Sequence, residues 1–452
     1  MQPSFRIVFA LVLATAFHAS AATFLVATFQ SDATPPLGAP LCGGGVSPVQ
    51  SVTDPLSARG IVLLPDGDRP IVICAVDWVG IGNGGHLAWR EALATAAGTD
   101  TSRVSVHVLH QHDAPMCDLS AEELLAAHGL GGKTMDVAFA QTAIQSAADA
   151  VKNALDKAQP VTHLAMGEGV VEKVASNRRI LGADRKVRAV RWTATKDPAV
   201  QAEPVGTIDP FCKSVSFWNE DKPLAVMTWY ATHPQSHYGA GDVSADFVGM
   251  ARAAREAALP GVPHIHFNGA GGNLGAGKWN DGAPENRPVL AKRLEEGMRK
   301  AWESSERIPA DGSLDWVVEP VSLPTRSEIS VEAERARLAA TDLAEGERVG
   351  AAWKLAWLNR AATPIELARL RVGTFQFLML PGELFVEYQL AAQDLAPQDF
   401  VCVAAYADYG PCYIGTAAAY AEGGYEMEVD SAHCGPEVEP VLMDAIGKLV
   451  DR

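Results

Sequence analysis

The chain has 452 residues, 48% of them hydrophobic, enough to bury a large core in one unit or in two closely packed ones. Acidic residues outnumber basic ones by 54 to 37, giving a net charge of -17 spread along the chain, which reads as a solubility feature. No nucleic-acid partner is expected, because holding a phosphate backbone requires clustered Lys and Arg.

At the N-terminus, Arg6 precedes an apolar run from Ile7 to Phe17 and then Ala19-Ser20-Ala21. A basic start, an apolar stretch too short to span a bilayer and a small-x-small exit describe a secretory signal over residues 1–21. The mature protein, 22–452, is therefore expected to be secreted or periplasmic, and no later apolar run reaches spanning length. Seven cysteines lie beyond the signal, at 42, 74, 117, 212, 402, 412 and 434. Export permits disulfides, but an odd number leaves at least one thiol unpaired in a monomer, and the lack of a CxxC pair argues against a thiolate zinc site.

Downstream, apolar β-rich runs alternate with helical patterns. Strands are predicted at Gly60–Leu64, Pro70–Val76, Val104–Leu109, Val161–Met166, Ser214–Trp218, Ala225–Ala231, His264–Phe267, Leu314–Val321 and Phe375–Leu380. Helices are predicted at Leu87–Ala97, Met135–Ala158, Asp246–Ala258, Pro288–Ser304, Val331–Asn359 (with a break near Gly346) and Glu437–Val450. This interleaving implies an α/β fold, mixed α+β, with mixed sheets flanked by helices. The turn-like Pro309-Ala310-Asp311-Gly312 is short enough for an ordinary loop, so residues 22–452 read as one catalytic unit.

Chemistry-bearing residues follow predicted strands. In Ser105–Pro115, His110 and His112 are two apart and would project together where the strand runs out, whereas His107 has the opposite parity. Neutral imidazole is a common zinc ligand, although hydrogen-bonded structural histidines are the ordinary alternative. A second strand empties into Thr232-His233-Pro234, and a third into Pro381-Gly382-Glu383. Two histidines and a glutamate form a set used by catalytic zinc hydrolases, although Glu383 alone reads as a solvated turn residue. The segment 405–426 holds Tyr406, Tyr409, Tyr413, Tyr420 and Tyr425, and its ordinary reading is a partly buried aromatic loop. The Gly272–Gly277 loop is no dinucleotide site, because Trp279–Arg287 after it does not read as a helix. Nor does a barrel amidohydrolase fit, since no eightfold β-α rhythm is visible.

Taken in order, these fragments resemble the neutral (non-lysosomal) ceramidases, zinc amidases that cut the N-acyl bond of ceramide. Ala27–Pro35 is similar to the family's opening segment, Leu109–Pro115 to its Thr-His-Thr-His-Ser-Gly-Pro, and Asn177-Arg178 to its Asn-Arg-Ser-Pro. Ala231–Ser236 is similar to its Val-His-Pro-Thr-Ser and Pro381-Gly382-Glu383 to its Pro-Gly-Glu, while Tyr413, Tyr420 and Tyr425-Glu426 match its Tyr-Val-Thr-Thr…Glu-Tyr…Tyr-Glu spacing. The resemblance implies that His110, His233, Glu383 and Tyr413 hold Zn2+. It implies that His112 orients substrate and handles protons, and that Arg178 and Tyr425 contact the substrate or its developing oxyanion. The expected reaction is hydrolysis of the amide of ceramide or a related N-acyl lipid by a metal-activated water. The expected partner is a small lipid-like amide, with contact to a membrane surface and the oligomeric state left open.

Two departures qualify that expectation. Gly275 stands where the family carries a serine proposed as a nucleophile, so a seryl mechanism is not expected; Ser244 lies in a different segment. The stretch after His112, Met116–Glu123, differs from the family's Gly- and Tyr-rich one, and the chain ends 27 residues after Tyr425, without the family's C-terminal immunoglobulin-like domain. The alternative is a metal-binding relative that is non-catalytic or acts on an ester or another amide.

Overall fold

The computed structural model describes residues 24–310 and 314–451. The expected signal lies outside the described residues, as do Asp311 and Gly312 of the turn-like stretch. Three larger sheets carry the architecture. The first runs, in spatial order, Val104–Val108, Ile71–Val76, Ser57–Pro65, Phe24–Asp32 and Gln159–Pro160. The second runs His264–Asn268, Lys222–Tyr230, Phe211–Asn219, His163–Val170 and Glu306–Pro309. The third runs Leu314–Val321, Ile365–Val372, Phe375–Met379 and Phe400–Ala404.

Each sheet is antiparallel except for one pair at its edge. The parallel pairs are Ile71–Val76 with Val104–Val108, Lys222–Tyr230 with His264–Asn268, and Phe375–Met379 with Phe400–Ala404. Side chains from all three sheets share an apolar cluster that includes Ile73, Met227, Trp229, Phe267, Leu370 and Phe377. Trp229 stacks on Phe267 at 5.6 Å and meets Phe377 edge-on at 4.9 Å. Burying each such side chain is worth roughly 1.5–3 kcal/mol, so this cluster fixes the sheets against one another.

The C-terminal ends of the parallel pairs are stitched together by polar contacts. The Asn268 N–H donates to His107 Nε2 (3.0 Å), and the Ala405 N–H to the Asn268 carbonyl (3.1 Å). His107 is thus a core residue, 1% exposed and bonded within the sheets, and not a member of the His110 cluster. Helices cover the outer faces. In Val137–Leu155 the buried stripe is Ala140, Ala143, Ile144, Ala147, Ala148, Val151 and Ala154, a 3–4 spacing of mostly small residues that lets the helix lie close on the first sheet. Asp136 caps it by accepting from the Phe139 N–H.

The predicted elements are present with shifted ends, but others were not predicted, among them the helices Leu119–Ala127 and Val386–Leu395. The long helix breaks into Val331–Ala339 and Glu345–Arg360, so Gly346 falls inside the second helix rather than at the break. The restart is fixed locally, by the Glu347 carboxylate accepting from the Ala344 N–H. Strands Phe24–Asp32, Ile365–Val372 and Phe400–Ala404 have no counterpart among the predicted elements. Among the described residues no cysteine is paired, and no helix is long and apolar enough to cross a membrane.

Candidate metal centre

Open α/β sheets place ligand sites outside the carboxyl ends of parallel strands. Here three such ends converge. His110 follows Val104–Val108, His233 follows Lys222–Tyr230 and Glu383 follows Phe375–Met379. Their donor atoms all lie within 4.8 Å of one another, and the three residues are 1%, 3% and 2% exposed.

The local backbone makes this convergence. The strand ends at Val108, two residues before His110, so strand parity does not aim this histidine. Instead His110 adopts φ 70°, a conformation rare outside glycine and enriched at functional sites. Its N–H is held by the Trp78 carbonyl at 2.9 Å. His112 still comes alongside, its ring perpendicular to that of His110 at 5.1 Å. Behind Glu383, a Cβ at Gly272 would collide with the Glu383 carbonyl oxygen, so the 269–272 turn approaches that closely only because it lacks side chains there.

The hydrogen bonds decide the charge logic. His110 Nδ1 lies 2.7 Å from the Val79 carbonyl and His233 Nδ1 lies 2.6 Å from the Gly271 carbonyl. A carbonyl only accepts, so both Nδ1 atoms carry protons, which leaves Nε2 as the nitrogen each ring can offer as a lone pair to a metal. Both lone pairs aim at one atom: Glu383 Oε2 is 3.2 Å from His110 Nε2 and 2.9 Å from His233 Nε2. Burial, followed by Arg178, lowers the His233 pKa to about 4, so it adds no proton at neutral pH. Three buried lone-pair donors facing one point repel each other unless a cation sits among them. This donor set fits a divalent metal with nitrogen and oxygen ligands.

Tyrosines close the remaining side. The Tyr413 hydroxyl lies 3.3 Å from His233 Nε2, while the Tyr409 hydroxyl donates to Glu383 Oε1 at 2.7 Å. Tyr406 stacks on the His110 ring at 4.8 Å. Tyr406 and Tyr409 stood out in the sequence only as members of an aromatic loop.

Arg178 crosses the Tyr413 ring at 5.1 Å and donates through Nε to Glu426 (2.7 Å). Burial disfavours its charge, but Tyr413 and Glu426 more than offset that and raise its pKa. Its Nη2 is buried without a hydrogen-bond partner. Tyr425, 39% exposed, stands at the rim, edge-on to Tyr413 at 5.8 Å. Gly275 pairs with Ser176 in a short ladder, and a Cβ there would meet nothing nearer than the Trp192 carbonyl at 3.9 Å. The position has room for a side chain and carries none. Ser244 is occupied structurally, donating to Asp54 (2.6 Å) and accepting from the Asp246 N–H (2.9 Å). A cavity of about 300 Å³ opens beside the centre, with His112, Glu383, Tyr409, Tyr413 and Tyr425 in its wall.

The sheets and the buried His-His-Glu cluster together describe a mixed α+β protein able to hold a metal ion. No protein-family model and no curated protein matches the sequence. Among solved structures the chain is similar to neutral ceramidase from Pseudomonas aeruginosa, with a TM-score of 0.70 and 18% identity over 95% of this chain and 74% of that one. It is similar also to a ceramidase complexed with C2, with a TM-score of 0.69 and 16% identity over 95% of this chain and 75% of the other. The fold is that of the neutral ceramidase catalytic domain.

Proposed function

We propose that this protein is a zinc-dependent hydrolase that cuts the N-acyl amide bond of ceramide or a related N-acyl compound. The observation that carries this reading is the convergence of two unprotonated imidazole nitrogens and a carboxylate oxygen on one buried point. His110, His233 and Glu383 would hold the ion, with the Tyr413 hydroxyl as the fourth protein donor. A bound zinc would supply Lewis-acid polarisation of the carbonyl and a water acidified to a pKa of about 7.

The remaining residues act around that ion. His112, beside His110 in the cavity wall, takes a proton and passes it to the departing amine. Arg178, braced by Glu426, offers its free Nη2 to the developing oxyanion, a kind of contact worth about 3–4 kcal/mol of barrier. Tyr425 at the rim contacts the substrate as it enters. With no side chain at 275, the attacking group is water rather than a seryl oxygen.

The test is amide hydrolysis by purified protein with and without chelator, alongside metal analysis of His110→Ala and His233→Ala. Both variants are expected to lose bound metal and turnover together. Full turnover by His110→Ala with stoichiometric metal would sink the assignment. The bare position 275 also supports a second reading, in which the protein prefers an ester or another amide; matched ester and amide substrates separate the two.

A further inference from the structure

The cavity beside the centre, about 300 Å³, lies at the small end of the ~300–1,000 Å³ usual for ligand pockets. A water's share of liquid volume is ~30 Å³ and a methylene takes about as much, so the cavity holds on the order of ten such groups. The carbonyl, the amide nitrogen and the attacking water take part of that room. What is left admits an arm of roughly six to eight carbons.

The apolar side of the wall, Val79, Met116 and Trp353, is held in place by what packs against it. Trp353 stands on the helix Glu345–Arg360 and packs on a buried cluster that includes Leu125, Ala352 and Leu355. Met116 lies in a short strand, Met116–Cys117, paired in parallel with Gly80–Ile81. Against both side chains runs a left-handed turn, in which Cys42, Gly43 and Gly44 hold φ of 48°, 62° and 81°. A Cβ at Gly43 would fall 2.7 Å from the Trp353 ring and 2.8 Å from Met116 Sδ, and one at Gly44 would fall 2.5 Å from the Lys133 carbonyl oxygen. Only glycine fits a turn wedged so closely between these groups. The Cys42 N–H donates to the Ala114 carbonyl (2.8 Å), which ties the turn to the segment carrying His112. Trp353 and Met116 therefore cannot back away from a longer arm without displacing this turn. Met116 also opens the stretch, Met116–Glu123, in which the chain departs from the ceramidase pattern, so that departure reaches the cavity wall.

We propose that Trp353 and Met116 set a length limit on the substrate, so that at least one arm of the amide, acyl or amine, is no longer than about eight carbons. The proposal rests on the amidase reading and turns its substrates away from amides with two long alkyl chains.

1-Alkanols from butanol to decanol are titrated into the zinc-loaded full chain by calorimetry. Amides whose acyl and amine arms are lengthened separately, from butyl to tetradecyl, are assayed on the same preparation. Alkanol affinity is expected to rise about fourfold per methylene as far as hexanol or octanol and then to level off. In one of the two amide series kcat/KM is expected to fall at least about tenfold beyond the octyl arm. Trp353→Ala is expected to move both breaks out by about three carbons, and the milder Met116→Ala by about one. Affinity that climbs undiminished to decanol, no alkanol binding at all, amide hydrolysis with no break in either series, or breaks unmoved in both variants overturns the proposal. Alkanol binding needs no turnover, so a protein that shows the alkanol break but hydrolyses no amide defeats the amidase reading, not the length limit.

Discussion

Two carboxylates are buried beyond the ends of strands in two different sheets, and the chain treats them in opposite ways. Asp77, fully buried after Ile71–Val76, meets Arg252 in two parallel hydrogen bonds of 2.7 Å and also accepts from the Ser57 N–H and hydroxyl. Its countercharge is built in: burial would raise its pKa, but Arg252 lowers it below the usual value. Glu383 is equally buried but meets two imidazole nitrogens and a phenol, and no lysine or arginine forms an ion pair with it among the described residues. An ion pair satisfied from within is architecture. One left half-complete specifies something to be brought in from outside.

Substitutions that separate these two roles test that contrast. The largest effect is expected at Glu383→Gln, which should lose metal and fall to background turnover while the chelated variant melts no lower than chelated wild type. A chelated Glu383→Gln that is severely destabilised would make Glu383 an architectural acid too. Next is Arg252→Met, expected to cost about 3–5 kcal/mol in denaturant unfolding by stranding the Asp77 charge, with metal per folded molecule unchanged. Because Asp77 is held below its unfolded value, its contribution is present above about pH 4 and is lost as pH falls through the depressed value. The stability deficit of Arg252→Met should therefore be largest near neutral pH and shrink as pH falls and Asp77 takes up a proton. The smallest effect is expected at Tyr409→Phe, which removes one bond to Glu383: about 1 kcal/mol in stability and roughly 10–100-fold in metal affinity. Unchanged metal affinity in that variant would deny Tyr409 any part in orienting the glutamate.

The ligand-bearing segments were legible because each polar residue interrupts or follows an apolar run whose direction the sequence already gives. Val104–Val108, Lys222–Tyr230 and Phe375–Met379 each empty into a residue of the cluster. The turn that aims His110 was not legible, since a φ of 70° at a histidine leaves no trace in hydrophobic pattern. Strand parity therefore put His110 and His112 together for a reason the backbone does not use. Nor did spacing distinguish the tyrosines of 405–426: Tyr409 and Tyr413 reach the centre from one loop, and only the hydrogen bonds separate them. Asp77 and Arg252 are 175 residues apart, and no local pattern links them. Strand Phe400–Ala404 escaped notice because a five-residue apolar run within an alanine-rich stretch has no distinguishing period.

The convergence of three sheet edges also sets when the protein can first acquire its ion. Glu383 and Tyr413 lie in the last fifth of the 452-residue chain, so a growing polypeptide carries His110 and His233 long before their acidic partner exists. At roughly 5–20 residues per second, the interval between synthesis of His233 and Glu383 lasts many seconds. During that time two isolated imidazoles offer only weak purchase to any metal, and loading waits for a nearly finished molecule.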